Sequence, residues 1–305
     1  MFLHPATAFP YYLHLGGRTI HPHFFFEALS YAVAIYVYLK LRRRFGDPIV
    51  TPLRWAAVAA AVAGGALGAK LLFWLEDPRL TFANLHNPAY LVGGKTIVGG
   101  LAGGLITVEL MKRYIGMRTS TGDLYASPLA LGIAIGRIGC FLTGISDNTY
   151  GTATSLPWAI DFGDGIRRHP TQLYEVVCLL LLVPFLYRCL KKISSQPSVI
   201  LSAAVTKQGV VTAESKDPES LAITNGAPGN SLPTLGTRNP ALGTVPGDAF
   251  RLFMVAYMTF RLLADFIKPY PRIFLGLGGI QWACVLILLY YSRDIARWLG
   301  SATRS

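Results

Sequence analysis

The sequence predicts an all-α polytopic membrane protein with about seven transmembrane helices, and three observations carry that expectation. Hydrophobic side chains make up 52% of the 305 residues and charged ones only 14%, a balance too apolar for a chain whose surface faces water alone. Seven apolar windows, roughly 22–39, 55–75, 90–111, 124–143, 172–190, 250–267 and 273–291, approach the ~20 residues that cross a bilayer as a helix. Basic residues gather between those windows, so the net charge of +12 and the pI near 9.7 point to membrane topology, not to a nucleic-acid footprint. Helices are the expected element because every backbone amide in hydrocarbon must be paired within its own segment.

The loops orient the chain. Lys40 and Arg42 to Arg44 follow the first window, Lys112, Arg113 and Arg118 the third, Arg188, Lys191 and Lys192 the fifth, and Arg293 and Arg297 the seventh. Basic loops stay cytoplasmic, which puts the N-terminus outside and the C-terminus inside. Residues 1–193 are then helices 1–5 with a small extracytoplasmic cap at 145–170, rich in Asp, Thr, Gly and Pro. Residues 249–305 supply helices 6 and 7 of the same domain. Between them, 194–248 shifts to Ser, Thr, Pro, Gly and Asn, the composition of a disordered cytoplasmic insert. Met1 to Ile20 lacks a basic region followed by an apolar core, so no cleavable signal peptide is expected and the first helix stays as an anchor. Cys140, Cys178, Cys189 and Cys284 form no CxxC pair and lie in or beside apolar runs; neither a disulfide framework nor a zinc site is expected.

Ionisable residues inside apolar windows are the candidate functional groups, because a guanidinium at membrane depth costs at least about 2.5–3.5 kcal/mol on insertion scales and is kept only when paired or useful. Arg137 lies in GIAIGRIGCFL and Arg261 in VAYMTFRLLADF. An ion pair with Asp265 or Glu109 would explain Arg261 structurally. A phosphate would suit two arginines better, since the planar fork binds its oxygens bidentately. In LVGGKTIVGGLAGGL, Gly99 with Gly103 and Gly100 with Gly104 form overlapping GxxxG patterns. Close helix packing explains them; Lys95 among the glycines points instead to a broken helix lining a cavity.

RRHPTQLYE places His169 before Pro170, and Gln172, Tyr174 and Glu175 at the start of the fifth window. Pro170 and Thr171 simply open a helix on one reading; on the other, His169 is a titratable base at the outer interface. In IHPHFFFEALSY, His21 and His23 make a weak metal pair on their own, and Glu27 calls for a partner, either Lys70 or Lys95.

Taken together, GRIGCFLTGISDNTYG, PW, RHPTQLYE and FRLLADF, in this order and over nearly all of the chain outside the insert, resemble the prolipoprotein diacylglyceryl transferase family. The resemblance implies transfer of the diacylglyceryl group of phosphatidylglycerol to the lipobox cysteine of a preprolipoprotein, at the outer leaflet of the bacterial inner membrane, with no cofactor or metal. It implies that Arg137 and Arg261 are catalytic, and the reading of RRHPTQLYE adds His169 to them as a titratable base. Tyr257, Asp265, Gly99, Gly100, Gly151, Gln172, Glu175 and Lys95 would contact the lipid or the peptide. Two positions depart from the family pattern: Val98 stands where a histidine is usual before Gly99-Gly100, and Cys140 stands where the signature has asparagine, with Thr143-Gly144-Ile145 after it. His169, Glu27 or Lys95 could then activate the thiol, or a positive cavity could do so without a base. The alternative function is a non-catalytic relative that binds phospholipid or lipoprotein; a secondary transporter is disfavoured by the lack of an inverted repeat.

Overall fold

The computed structural model describes residues 9–47, 49, 51–117, 119–195 and 245–302. The proposed insert, apart from its edges, therefore lies outside the described residues. Helices dominate: α1 (Pro22–Phe45), α2 (Thr51–Glu76), the short α3 (Pro78–Ala83) and α4 (Pro88–Val92), α5 (Ile97–Tyr114), α6 (Asp123–Thr143), α7 (Thr171–Ser194), α8 (Asp248–Ala264), α9 (Gly279–Tyr290) and α10 (Ser292–Ala302). Two small antiparallel hairpins, β1 (Leu13–Leu15) with β2 (Arg18–Ile20) and β3 (Ile160–Asp161) with β4 (Arg167–Arg168), are the only named strands among the described residues.

Among the described residues four helices are long and apolar enough to cross a membrane, namely α1, α2, α6 and α7, so the chain is a multi-pass membrane protein. Three of the seven expected windows become shorter helices. The window at 90–111 breaks: α4 ends at Gly93, Gly94 takes a positive φ of 57°, and the Thr96 side chain caps a fresh helix, α5, at Gly99 N. Window 250–267 is α8 extended by a 3-10 turn, Asp265–Ile267. Window 273–291 yields only α9, because a Phe274–Leu277 turn occupies the stretch before Gly279. Hydropathy counts composition and is blind to these breakers.

Helix α1 packs on α6, α2 on α5, and α6 on α7, while α8 is wedged among α6, α7 and α9. The α8 stripe Phe253, Met254, Tyr257, Met258 and Arg261 is completely or almost completely buried, with the 3- and 4-residue spacing of one helical face. Leu179 and Leu186 of α7, Ala126, Ala130 and Ala134 of α6, Val98 of α5 and Cys284 of α9 close the core around it. The α2–α5 contact is a glycine seam. A Cβ on Gly103 would lie 2.1 Å from Gly64 O, and one on Gly99 2.3 Å from Gly68 O, whereas Gly100 would meet nothing nearer than 3.5 Å. Both readings of the glycine segment thus apply, close packing along α5 and a helix break just before it.

The segment between α6 and α7 folds on itself. Gly151 N and His169 N exchange hydrogen bonds with His169 O (2.9 Å) and Thr152 O (3.1 Å), and Thr152 N reaches Ile267 O at 2.8 Å, tying the hairpin to the end of α8.

Candidate active site

The start of α7 meets the C-terminal halves of α6 and α8 and brings the buried charges together. Arg137, in the C-terminal half of α6, points across to α7, where Glu175 sits one turn inside the helix opened by Pro170 and Thr171. Arg137 Nε is 2.9 Å from Glu175 Oε1. From the third side, Arg261 of α8 places Nη1 3.2 Å from Glu175 Oε2 and Nη2 3.1 Å from Asp265 Oδ1. Tyr257, one turn earlier on α8, donates its hydroxyl to Glu175 Oε1 at 2.5 Å. Lys268 Nζ closes the chain of contacts at 3.7 Å from Asp265 Oδ1. All of these side chains are at most 7% exposed. Arg137 and Arg261 thus face the two carboxylates of Glu175 and Asp265, with the Lys268 amine beside Asp265, in a site shut off from water.

The ion pair expected as the bland explanation of Arg261 exists, with Asp265; Glu109 instead holds Lys112 at 2.9 Å. What sequence reasoning missed is that Glu175 takes both arginines. Capacity remains in the cluster. Arg261 Nε and both polar atoms of the Gln172 amide, on the same turn of α7 as Glu175, are buried without a hydrogen-bond partner among the described residues. Buried polar atoms left unpaired are costly, so these are groups that a polar ligand would satisfy.

The other expected site residues are distributed differently. His169 Nδ1 lies 3.1 Å from the hydroxyl of Tyr174 on α7, and that hydroxyl accepts from Trp158 Nε1 at 2.8 Å, so the hydrogen-bond partner of the imidazole is a tyrosine and not an arginine of the cluster. Gly151 is a packing residue: a Cβ there would fall 2.6 Å from His169 Cβ. Gly99 and Gly100 line the α2 seam. Lys95 pairs with Glu27, which also accepts from Tyr31 at 3.2 Å; Lys70 instead caps the carbonyls of Val92 and Gly94 at 2.5 and 2.7 Å. Glu27 thereby finds one of its two expected partners.

Cys140 is buried beside polar groups. Arg137 Nη1 is 3.7 Å from its sulfur. His23 Nδ1 is 3.1 Å from Asp147 Oδ1, and ligand atoms of His23, Cys140 and Asp147 all lie within 4.8 Å of one another. Spacing in sequence gave no signal of this trio, since His23 is more than a hundred residues from the other two.

A family model described as prolipoprotein diacylglyceryl transferase matches residues 10–208, a stretch that holds Arg137, His169 and Glu175 and ends before α8. Curated relatives carry the name phosphatidylglycerol--prolipoprotein diacylglyceryl transferase. The one from Leptothrix cholodnii is 29% identical over 95% of both chains. The one from Solidesulfovibrio magneticus is 34% identical over 65% of this chain and 77% of its own. That from Bordetella parapertussis is 33% identical over 55% of this chain, and the match spans 65% of the relative's length.

Proposed function

The chain belongs to the prolipoprotein diacylglyceryl transferase family, and from that premise we propose that it moves the diacylglyceryl group of phosphatidylglycerol onto the lipobox cysteine of a preprolipoprotein, the first step of bacterial lipoprotein maturation. The observation that carries the reading is the pair of buried guanidinium groups, Arg137 and Arg261, brought together on one carboxylate, Glu175. The reaction needs no enzyme nucleophile. The substrate sulfur attacks the glyceryl carbon, the C–O bond breaks, and the electron pair leaves on glycerol phosphate, whose charge rises from one to two. A site is useful to the degree that it stabilises that extra charge more than the diester's.

In this reading Arg137 and Arg261 grip the phosphate, and Gln172, with its unpartnered amide, donates to it. Glu175 and Tyr257 hold the two guanidinium planes in place before lipid arrives, so little reorganisation is left for the transition state. Lys95 and Glu27, an ion pair beside His23, line the approach of the peptide. The remaining features of the topology are part of the proposal: seven crossings with the N-terminus outside and the C-terminus cytoplasmic, the 145–170 hairpin region as an extracytoplasmic cap, 194–248 on the cytoplasmic side, and placement in the inner membrane with the site toward the outer leaflet.

The test is direct. Purified protein in detergent is incubated with phosphatidylglycerol and a lipobox peptide, and the peptide mass is measured. A diacylglyceryl adduct that vanishes when the peptide cysteine becomes serine is the expected result. No adduct, or full activity in folded Arg137→Ala and Arg261→Ala proteins, would refute the reading.

A further inference from the structure

We propose that His23, Cys140 and Asp147 form a zinc site whose open fourth position binds the substrate thiol as thiolate. The role in transfer rests on the function proposed above; the metal site itself does not.

The three donors come from separate segments, the start of α1, the last turns of α6 and the 3-10 turn after it, and the backbone brings them together. Gly139 makes this possible. It lets α6 approach α1 so closely that a Cβ there would lie 2.7 Å from Phe26 Cβ and 3.3 Å from Pro22 O. The donor atoms lie within 4.8 Å of one another; a tetrahedral zinc with bonds of about 2.0–2.3 Å brings such atoms to roughly 3.5 Å apart, a change within reach of side-chain rotation. One imidazole, one thiolate and one carboxylate is a donor set suited to zinc, and three protein ligands with an open position is the pattern of catalytic rather than structural sites. With neutral histidine the set carries two negative charges and matches a divalent ion.

The surroundings fit as well. His23 turns Nδ1 toward Asp147 and Nε2 toward Glu27, whose Oε2 is 3.7 Å away. A carboxylate on the far nitrogen of a ligating histidine is the usual outer support of such a site, and Glu27 is in turn held by Lys95. The Cys140 sulfur faces Arg137 Nη1 at 3.7 Å, so the metal lies next to the proposed phosphate grip. His23 is 30% exposed while Asp147 is 8% exposed, which leaves an open side for the peptide.

The step balances. On coordination the substrate thiol releases its proton to water, the zinc-held sulfur attacks the glyceryl carbon, a C–S bond forms as the C–O bond breaks, and the pair departs on glycerol phosphate beside Arg137 and Arg261. Zinc keeps the thiol ionised at neutral pH, which supplies the activation that Val98 cannot.

The experiment measures zinc by plasma mass spectrometry in full-length protein purified without a histidine tag, alongside His23→Gln, Cys140→Ser and Asp147→Asn proteins that elute as folded in detergent. About one zinc per chain is expected, lost in the variants, together with a thiolate-to-cobalt charge-transfer band on cobalt exchange that is absent in Cys140→Ser. Adduct formation should fall about 100-fold or more in each variant. Zinc at background and no cobalt band would overturn the site and leave an ordinary His23–Asp147 ion pair. Undiminished transfer by chelator-stripped protein would overturn its role while the transferase reading stands; bound zinc with no adduct from the wild type would leave the site and remove the transferase reading.

Discussion

Arg137 and Arg261, 124 residues apart in the chain, share one carboxylate: Arg137 Nε reaches Glu175 Oε1 at 2.9 Å and Arg261 Nη1 reaches Oε2 at 3.2 Å. Neither arginine is more than 7% exposed, so Glu175 is what makes two like charges at this depth tolerable. Removing one member of a buried pair leaves an uncompensated charge and costs about 3–5 kcal/mol. Glu175→Ala is therefore expected to lower the thermal midpoint in detergent by several degrees or to prevent folding. Added phosphatidylglycerol should recover part of the loss, because its phosphate supplies the missing anion. A Glu175→Ala protein as stable as the wild type would show that the arginines are not held in this way.

Arginine and lysine are not equivalent at this site. The guanidinium of Arg261 contacts Glu175 through one terminal nitrogen and Asp265 through the other, a fork that a single ammonium cannot reproduce. Arg261→Lys keeps the charge and should still lose about 10²–10³-fold in turnover, on the scale of removing one preorganised donor to a developing anion, with a smaller change in apparent lipid affinity. Kinetics of adduct formation at varied phosphatidylglycerol check this, and a lysine variant with wild-type turnover would mean that charge alone suffices.

The glycine seam separates two substitutions that composition treats alike. A Cβ at Gly103 would stand 2.1 Å from Gly64 O, backbone against backbone, while at Gly100 the nearest atom is at 3.5 Å. Gly103→Ala should cost at least about 1–3 kcal/mol, the range for overpacking, and Gly100→Ala should be neutral or stabilising by a few tenths, since alanine restricts the unfolded chain. Thermal melts of the two proteins measure the order; the reverse order would mean that α2 and α5 do not meet along this face.

Much of this was legible in the sequence, and what was not has a physical cause. The windows around α1, α2, α6 and α7 were found because long apolar runs are a composition signal. The pairing of Arg261 with Asp265 was readable from a spacing of four on one helix. Glu175 was marked as a site residue for its position in the RHPTQLYE motif, yet its bridging of two arginines joins three helices, and no local period encodes that. The same holds for His23, which looked like half of a weak pair with His21 until α1 and α6 set it beside Cys140 and Asp147. Hydropathy overestimated α9 because Ile273 and Phe274 are apolar but lie in a turn.

Lys268 gives the last test. It sits just past α8, 3% exposed, and burial first, then the charge of Arg261, pull its ammonium down from the ordinary 10.5 to about 7, with Asp265 opposing. Between about 7 and 10 the unfolded chain carries a proton on this residue that the folded chain lacks, so folding stability rises with pH across that window. Below about 7 both states are protonated and the cost of burying the ammonium is borne in full. Lys268→Met removes the group, so its thermal midpoint should exceed that of the wild type near pH 6.5, and the gap should narrow as pH approaches 9.5. Melting curves of both proteins over that range, in the same detergent, measure the difference, and a gap that stays constant with pH would mean that Lys268 keeps an ordinary ammonium in the folded protein.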